Sequence, residues 1–358
     1  MAEVFRLPTL QLDSGRTMTD VPVAYSSWGE LNAQGDNAIV VCHALTGSSA
    51  ADDWWGPLIG PDRALDTNRF FVVCLNVLGS PYGSASPVSN NPETGEPYGP
   101  GFPAVTIRDT VRAHRQALET LGVRRVLFAL GGSMGGMQSL EWAFEDDFVD
   151  GIVPIGVGGR HSAWCIGFSE TQRQAIYADP VWNDGQYAEQ PRQGLATARM
   201  IAMLTYRASG ALTRRFGRKL QEGAEDMFAV ESYLRYQGAK LVDRFDANCY
   251  VHLTHQMDTH DVACGRGAYE DVLRGIDKKT LVIGVDSDVL YPLAEQKELA
   301  SLIPGARLEV IHSPDGHDAF LIEFEQLGRF IRTWMEEELR RPEPPGACAV
   351  RSEKFIGV

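Results

Sequence analysis

The sequence predicts an α/β fold: a mostly parallel sheet with helices on both faces and a helical lid inserted late in the chain. Three observations predict it. Short apolar, β-branched runs alternate with helical patterns through the first 160 residues; strand signals then stop for about a hundred residues; and two further strands and a long amphipathic helix close the pattern. The early runs are AIVVCHAL (38–45), RFFVVCLNVLG (69–79), RVLFALGG (125–132) and GIVPIGV (151–157). They are continuously apolar rather than alternating, as expected of strands buried on both faces. Between the second and third, TIRDTVRAHRQALETLGV (106–123) carries apolar residues at helical spacing and ends at Gly122, a good C-cap. Strand–helix–strand order of this kind argues for parallel pairing.

From about Arg160 to Gly267 helix formers dominate, in SETQRQAIYADP, GLATARMIAMLTYRAS and AVESYLRYQGAKLVDRF. Strands return in TLVIGVDSD (280–288) and RLEVIHSPDGH (307–317), and FLIEFEQLGRFIRTWMEEELRR (320–341) is an amphipathic helix. The expected organisation is therefore a discontinuous core of residues 1–160 and 268–341, a helical lid of residues 161–267, and a tail, 342–358. The tail is proline-rich at its start and expected to be poorly ordered.

Composition narrows the partners. Hydrophobic residues make up 44% of 358, enough for a sizeable core. The formal net charge of −14 argues against a nucleic-acid or anionic-membrane surface. Small anionic ligands need only a local cationic pocket and stay open. The six cysteines are scattered without a CxxC and read as reduced thiols of an intracellular protein, with Cys42 and Cys74 as core residues. The N-terminus has neither signal-peptide nor transit-peptide character, and no apolar run approaches the roughly 20 residues that span a membrane. A cytoplasmic location is expected.

The chemistry centres on Gly131-Gly132-Ser133-Met134-Gly135, a G-x-S-x-G match set between a strand and a helix. That context is the setting of a nucleophile elbow, in which the serine occupies a tight turn and the helix N-terminus stabilises negative charge. A glycine-rich turn with an incidental serine is the plainer alternative, and a phosphate loop is excluded because no Lys-Ser/Thr follows. An elbow predicts an acid after a later strand and a histidine after the last one. Asp288 in VDSDVLYP is the expected acid, with Asp286 as its rival, and His317 in PDGHDAF the expected base. His317 would take the serine proton while the aspartate orients the imidazole. Oxyanion donors are expected from the backbone N–H of Met134 and from Leu45 or Thr46 in HALTGSS. His43 reads as support beside that loop. The histidines and aspartates of HLTHQMDTHD (252–261) lack HExxH or cysteine partners, so no metal site is expected. Trp54-Trp55 reads as core.

With these residues in place, a resemblance enters. CHALTGSS, WWGPLIG, LNVLGSPYGSASP, GGSMGGMQSLEWA, RHSAWC, GLATARMIAMLTYR, YLRYQGAKLVDRFDANCY, DTHD and GHDAF together resemble homoserine O-acetyltransferases of the α/β-hydrolase superfamily, from about residue 5 to residue 340. HSAWCIGFSETQRQAIYADP is closest in wording to fungal and related members. The resemblance implies the α/β-hydrolase fold and acetyl transfer from acetyl-CoA to L-homoserine by a ping-pong acyl-serine route, in methionine biosynthesis. It implies acetyl-CoA as co-substrate with no bound cofactor, and a homodimer through the lid. The family's triad falls on Ser133, Asp288 and His317. Its substrate-contacting arginine, tyrosine and aspartate fall on Arg199, Tyr206 and Asp318.

Those three also make physical sense. An amino-acid acceptor presents a carboxylate, which arginine holds in two-pronged fashion, and an ammonium, which Asp318 could hold. Arg199 and Tyr206 are seven residues apart and share a helix face. RRFGRK (214–219) reads as a solvated helix face, with CoA phosphates as the alternative. L-Serine or deacetylcephalosporin C as acceptor, a succinyl donor and an esterase are the competing readings, since one methylene is worth only about 1–3 kcal/mol.

Overall fold

The computed structural model describes residues 2–338; the tail at 342–358 lies outside them. The chain opens with β1 (Glu3–Gln11), β2 (Thr17–Trp28) and β3 (Ala38–Cys42), then α1 (Ala51–Trp55) and the short pair β4 (Ile59–Gly60) and β5 (Leu65–Asp66). Next come β6 (Phe71–Leu75), α2 (Ile107–Thr120), β7 (Val126–Gly132), α3 (Met134–Trp142) and β8 (Gly151–Ile155). Five helices follow: α4 (Ala163–Tyr177), α5 (Arg192–Tyr206), α6 (Ser209–Phe216), α7 (Ala229–Val242) and α8 (Ala247–Asp258). The chain closes with α9 (Tyr269–Arg274), β9 (Lys279–Val285), α10 (Leu293–Leu302), β10 (Arg307–Ile311) and α11 (Phe324–Glu338).

The main sheet has the order β1-β2-β6-β3-β7-β8-β9-β10. From β6 to β10 every pairing is parallel, whereas β1 and β2 join antiparallel. Strands β3 and β8 are buried at every position, which explains their unbroken apolar runs. The β1–β2 hairpin is an addition that the apolar patterning did not announce. Of β1 only Leu7 and Leu10 are buried, and Pro8 is tolerated because β1 is an edge strand.

Local signals set the helix ends. Thr106 and Asp109 form a reciprocal capping box at the start of α2. At its end Gly122, at φ 91°, lets its own N–H reach Glu119 O and that of Val123 reach Leu118 O, a Schellman closure.

The helical insertion has a narrow neck. Arg160 and Asp261 form an antiparallel bridge, the His161 N–H donates to His260 O, and the Val262 N–H donates to Gly159 O. The chain thus leaves and re-enters the core side by side, directly after β8. Among the described residues no helix is long and apolar enough to cross a membrane.

Candidate active site

Ser133 sits at the junction of β7 and α3 with φ 58° and ψ −125°, a conformation costing about 1–3 kcal/mol for a residue with a Cβ. Backbone packing enforces the turn. A Cβ at Gly131 or Gly135 would overlap the Cys42 carbonyl oxygen, so β3, β7 and α3 meet backbone to backbone. A Cβ at Gly132 would strike the Phe320 ring. The glycines around Ser133 are therefore demanded by two neighbours, the Cys42 carbonyl and the Phe320 ring, and the fully buried α3 holds the turn from below.

His317 lies in a 3-10 turn, Gly316–Leu321, after β10. Its Nδ1 lies 2.6 Å from Asp288 Oδ2, while Asp288 Oδ1 accepts the N–H groups of Leu290 at 2.8 Å and Tyr291 at 2.9 Å. The carboxylate is thereby fixed at both oxygens. Asp286 instead faces His312 at 2.9 Å, on the exposed side of the same loop. Three contacts bring the serine turn to the imidazole. Gly132 abuts Phe320, whose ring is 5.4 Å from that of His317; Ser133 N–H donates to Ile155 O; and a Cβ on the adjacent Gly156 would lie 3.5 Å from His317 Cε1. Ser133, Asp288 and His317 are 6%, 7% and 2% exposed.

His317 Nε2 is buried and makes no hydrogen bond to the Ser133 hydroxyl or any other described protein group. Burial by itself would lower the imidazole pKa, but the charge and hydrogen bond of Asp288 outweigh it and raise it. The indole N–H of Trp55, read as plain core, donates to Phe320 O at 3.0 Å and so clamps the histidine turn.

Met134 is the first residue of α3, so its N–H has no carbonyl within the helix. Leu45 lies in the turn after β3, closed by the Gly47 N–H on Ala44 O. His43 braces that turn: its Nε2 accepts the Val77 N–H at 2.9 Å, which leaves Nδ1–H to donate to Ala44 O. Burial holds this imidazole down at about 4, consistent with a neutral strut. Arg244, unmarked in the sequence, ties the insertion to the same turn by donating to Thr46 O at 2.8 Å and to the Tyr82 hydroxyl.

Against the His317 turn lies the end of α5. The Arg199 guanidinium sits 5.3 Å from the Tyr206 ring centroid, and that ring is 5.9 Å from His317. A Cβ at Gly316 would collide with the backbone of residues 206–208, so the helix end rests on the histidine turn. Asp318 has a partner that the sequence did not announce: Arg207 Nε is 3.1 Å from its Oδ2, although not in hydrogen-bond geometry, while Arg207 Nη1 bonds Asp315 at 3.0 Å. Burial raises the Asp318 carboxyl pKa, against the pull of Arg207.

The histidines of HLTHQMDTHD disperse. His252 packs edge-on against Phe102, His255 faces the Tyr177 hydroxyl, and His260 is buried, its pKa held down by desolvation. Asp258 instead bridges His161 and Arg173.

The alpha/beta hydrolase fold family matches residues 37–324. A homoserine O-acetyltransferase from Salinibacter ruber is 61% identical, covering 93% of this chain and 97% of the relative. The chain belongs to the homoserine O-acetyltransferase family. A second relative, from Nostoc punctiforme, is 56% identical over 90% of the chain and 92% of its own, whereas the fission-yeast enzyme is 42% identical over 93% and 86%. The bacterial relatives thus lie nearer than the fungal one. Among solved structures, homoserine O-acetyltransferase from Bacillus anthracis superposes with TM-score 0.87 at 25% identity, covering 94% of this chain and 97% of that one. Esterase E22 superposes almost as well, at TM-score 0.85 and 28% identity, covering 94% and 99%. The scaffold alone therefore does not separate transfer from hydrolysis.

Proposed function

We propose that this chain is a homoserine O-acetyltransferase that works through an acetyl-serine. The observation that carries it is the buried His317–Asp288 pair beside the strained Ser133 turn, in a chain 61% identical to a homoserine O-acetyltransferase. Ser133 Oγ attacks the thioester carbonyl of acetyl-CoA and passes its proton to His317 Nε2. The tetrahedral oxyanion is held by the backbone N–H groups of Met134 and Leu45. Its collapse expels the CoA thiolate, which takes the proton from His317. The homoserine hydroxyl then gives its proton to His317, attacks the acetyl-serine and leaves as the ester, and the proton returns to Ser133.

Transfer requires that water lose to the acceptor. Next to Tyr206 and Tyr291 the site holds a cavity of about 20 Å³, walled also by Leu45, Cys165 and Leu290 and roomy enough for one water. The insertion acts as a lid that must move for acceptor to enter, and the rest of α5 on the histidine turn transmits that movement to the triad. Arg199 holds the acceptor carboxylate and Tyr206 the wall beside it; Asp318, balanced by Arg207, faces the ammonium. The esterase reading has the E22 superposition in its favour, but at less than half the identity of the S. ruber relative. Exposed Leu204 and Tyr236 on α5 and α7 suit pairing of two copies through the lid.

The test crosses acetyl- and succinyl-CoA with L-homoserine, L-serine and deacetylcephalosporin C, following free thiol. Release is expected with acetyl-CoA and homoserine together. Equal release without acceptor would overturn transfer, and release with serine alone would overturn the acceptor. Arg199→Ala is expected to raise the KM for homoserine about 10- to 100-fold, the worth of a charge-assisted contact, with little change in acetyl-CoA saturation. Unchanged homoserine saturation would place the carboxylate elsewhere.

A further inference from the structure

We propose that the cleft between α6 and α7 seats the phosphate-bearing nucleotide end of acetyl-CoA. This rests on the acyl-transfer reading and gives the donor a location. The cleft is a cavity of about 230 Å³ lined by Arg207, Arg214, Arg215, Phe216, Tyr233 and Asp315, with Ala211 and Leu212. Arg214, Arg215, Arg218 and Lys219 fall within six residues of a chain whose net charge is −14. Among the described residues none of these four pairs with a carboxylate, although Glu222, Glu225 and Asp226 follow closely in the sequence. Elsewhere Arg108, Arg112, Arg115, Arg173 and Arg266 are all paired. An uncompensated cationic cluster is costly in self-repulsion and suits an anion.

Aromatic rings hold these guanidinium groups in place. Arg215 lies 5.0 Å from the Phe216 centroid and 4.8 Å from that of Tyr233, and Arg218 lies 5.4 Å from Phe228. A guanidinium laid on a ring keeps its N–H edges free for the planar, two-pronged contacts that phosphate oxygens make.

Position links the cleft to the chemistry. Its inner wall, Arg207 and Asp315, belongs to the ion-pair cluster beside His317, and the backbone of residues 206–208 rests on Gly316. A nucleotide seated here would point its thioester arm toward the histidine turn. The larger cleft of about 670 Å³ has Arg63, Arg69 and Arg332 interleaved with Asp62, Asp66 and Glu336. None of its walls belongs to the elbow, the histidine turn or the lid.

The experiment compares acetyl-CoA with S-acetylpantetheine, which carries the same thioester without phosphates, using the wild-type chain and an Arg215→Gln/Arg218→Gln double variant. The preference for acetyl-CoA, as a ratio of kcat/KM values, is expected to fall about tenfold, the lower end for charged contacts at an exposed site. The rise of the acetyl-CoA KM with ionic strength is expected to flatten as well. An unchanged ratio, or equal loss on both donors, would overturn the assignment. Acylation of Ser133 by p-nitrophenyl acetate, read by mass in the same samples, separates the two readings. Its failure in the wild type sinks the acyl-serine mechanism; its success with an unchanged ratio sinks only the cleft.

Discussion

Ser133→Ala is expected to lower kcat about a million-fold, the scale at which removing a serine nucleophile leaves only binding and oxyanion contacts. No acetylated protein should then be detected by mass after mixing with acetyl-CoA, whereas the wild type should gain one acetyl group that homoserine removes. The fold should survive the change, because the hydroxyl makes no hydrogen bond that secures the turn. Ser133 is held by its neighbours: its N–H donates to Ile155 O, its carbonyl accepts from Gly136 and Met137, and the glycines around it are packed against backbone. A variant that melts like the wild type and still turns over would move the nucleophile elsewhere.

Asp288→Asn is expected to lower kcat about 10⁴-fold, because the amide cannot hold His317 in the productive tautomer or stabilise its charged form. The pH profile gives a second readout. Catalysis needs the neutral imidazole, so kcat/KM falls as pH drops through the His317 pKa. Asp288 raises that pKa above the ordinary 6.5 despite burial, so the wild-type acid limb should lie above 6.5. Without the Asp288 carboxylate, burial is opposed only by the weaker pull of Asp318, and the limb should move to lower pH. Asp286→Asn is the comparison, since Asp286 is occupied with His312 and Ser313. Equal losses in the two variants, or a limb that does not move in Asp288→Asn, would mean that the pairing at 2.6 Å does not set the base.

How much of this could be read in advance depends on the range of the interaction. The parallel strands were legible because full burial on both faces writes an unbroken apolar run, as in β3 and β8. The β1–β2 hairpin was not, because an edge ribbon buries so few of its residues. Strand ends were overdrawn: AIVVCHAL reads as eight strand residues, yet β3 stops at Cys42, and His43 and Leu45 belong to the turn beyond it. Asp288 was the expected acid from its place before Pro292, but Asp286, two residues away in the same loop, stayed open as its rival. Only the folded loop sends one carboxylate inward to His317 and the other outward to His312.

The sequence by itself determined the layered α/β order, and it raised the place of the insertion and the chain order of serine, acid and histidine as expectations. Each of these depends on local pattern: periodicity, glycine at a tight turn, and the position of polar residues after apolar runs. Only the tertiary structure decided what meets what. It brought Arg207 to Asp318, Arg244 to the turn that carries Leu45, and α5 onto the histidine turn, and it gathered the α6 arginines and two aromatic rings around a cleft. These partners lie up to 198 residues apart in the chain. No local spacing encodes such a contact, because it is fixed by how the insertion returns through its neck and packs on the sheet.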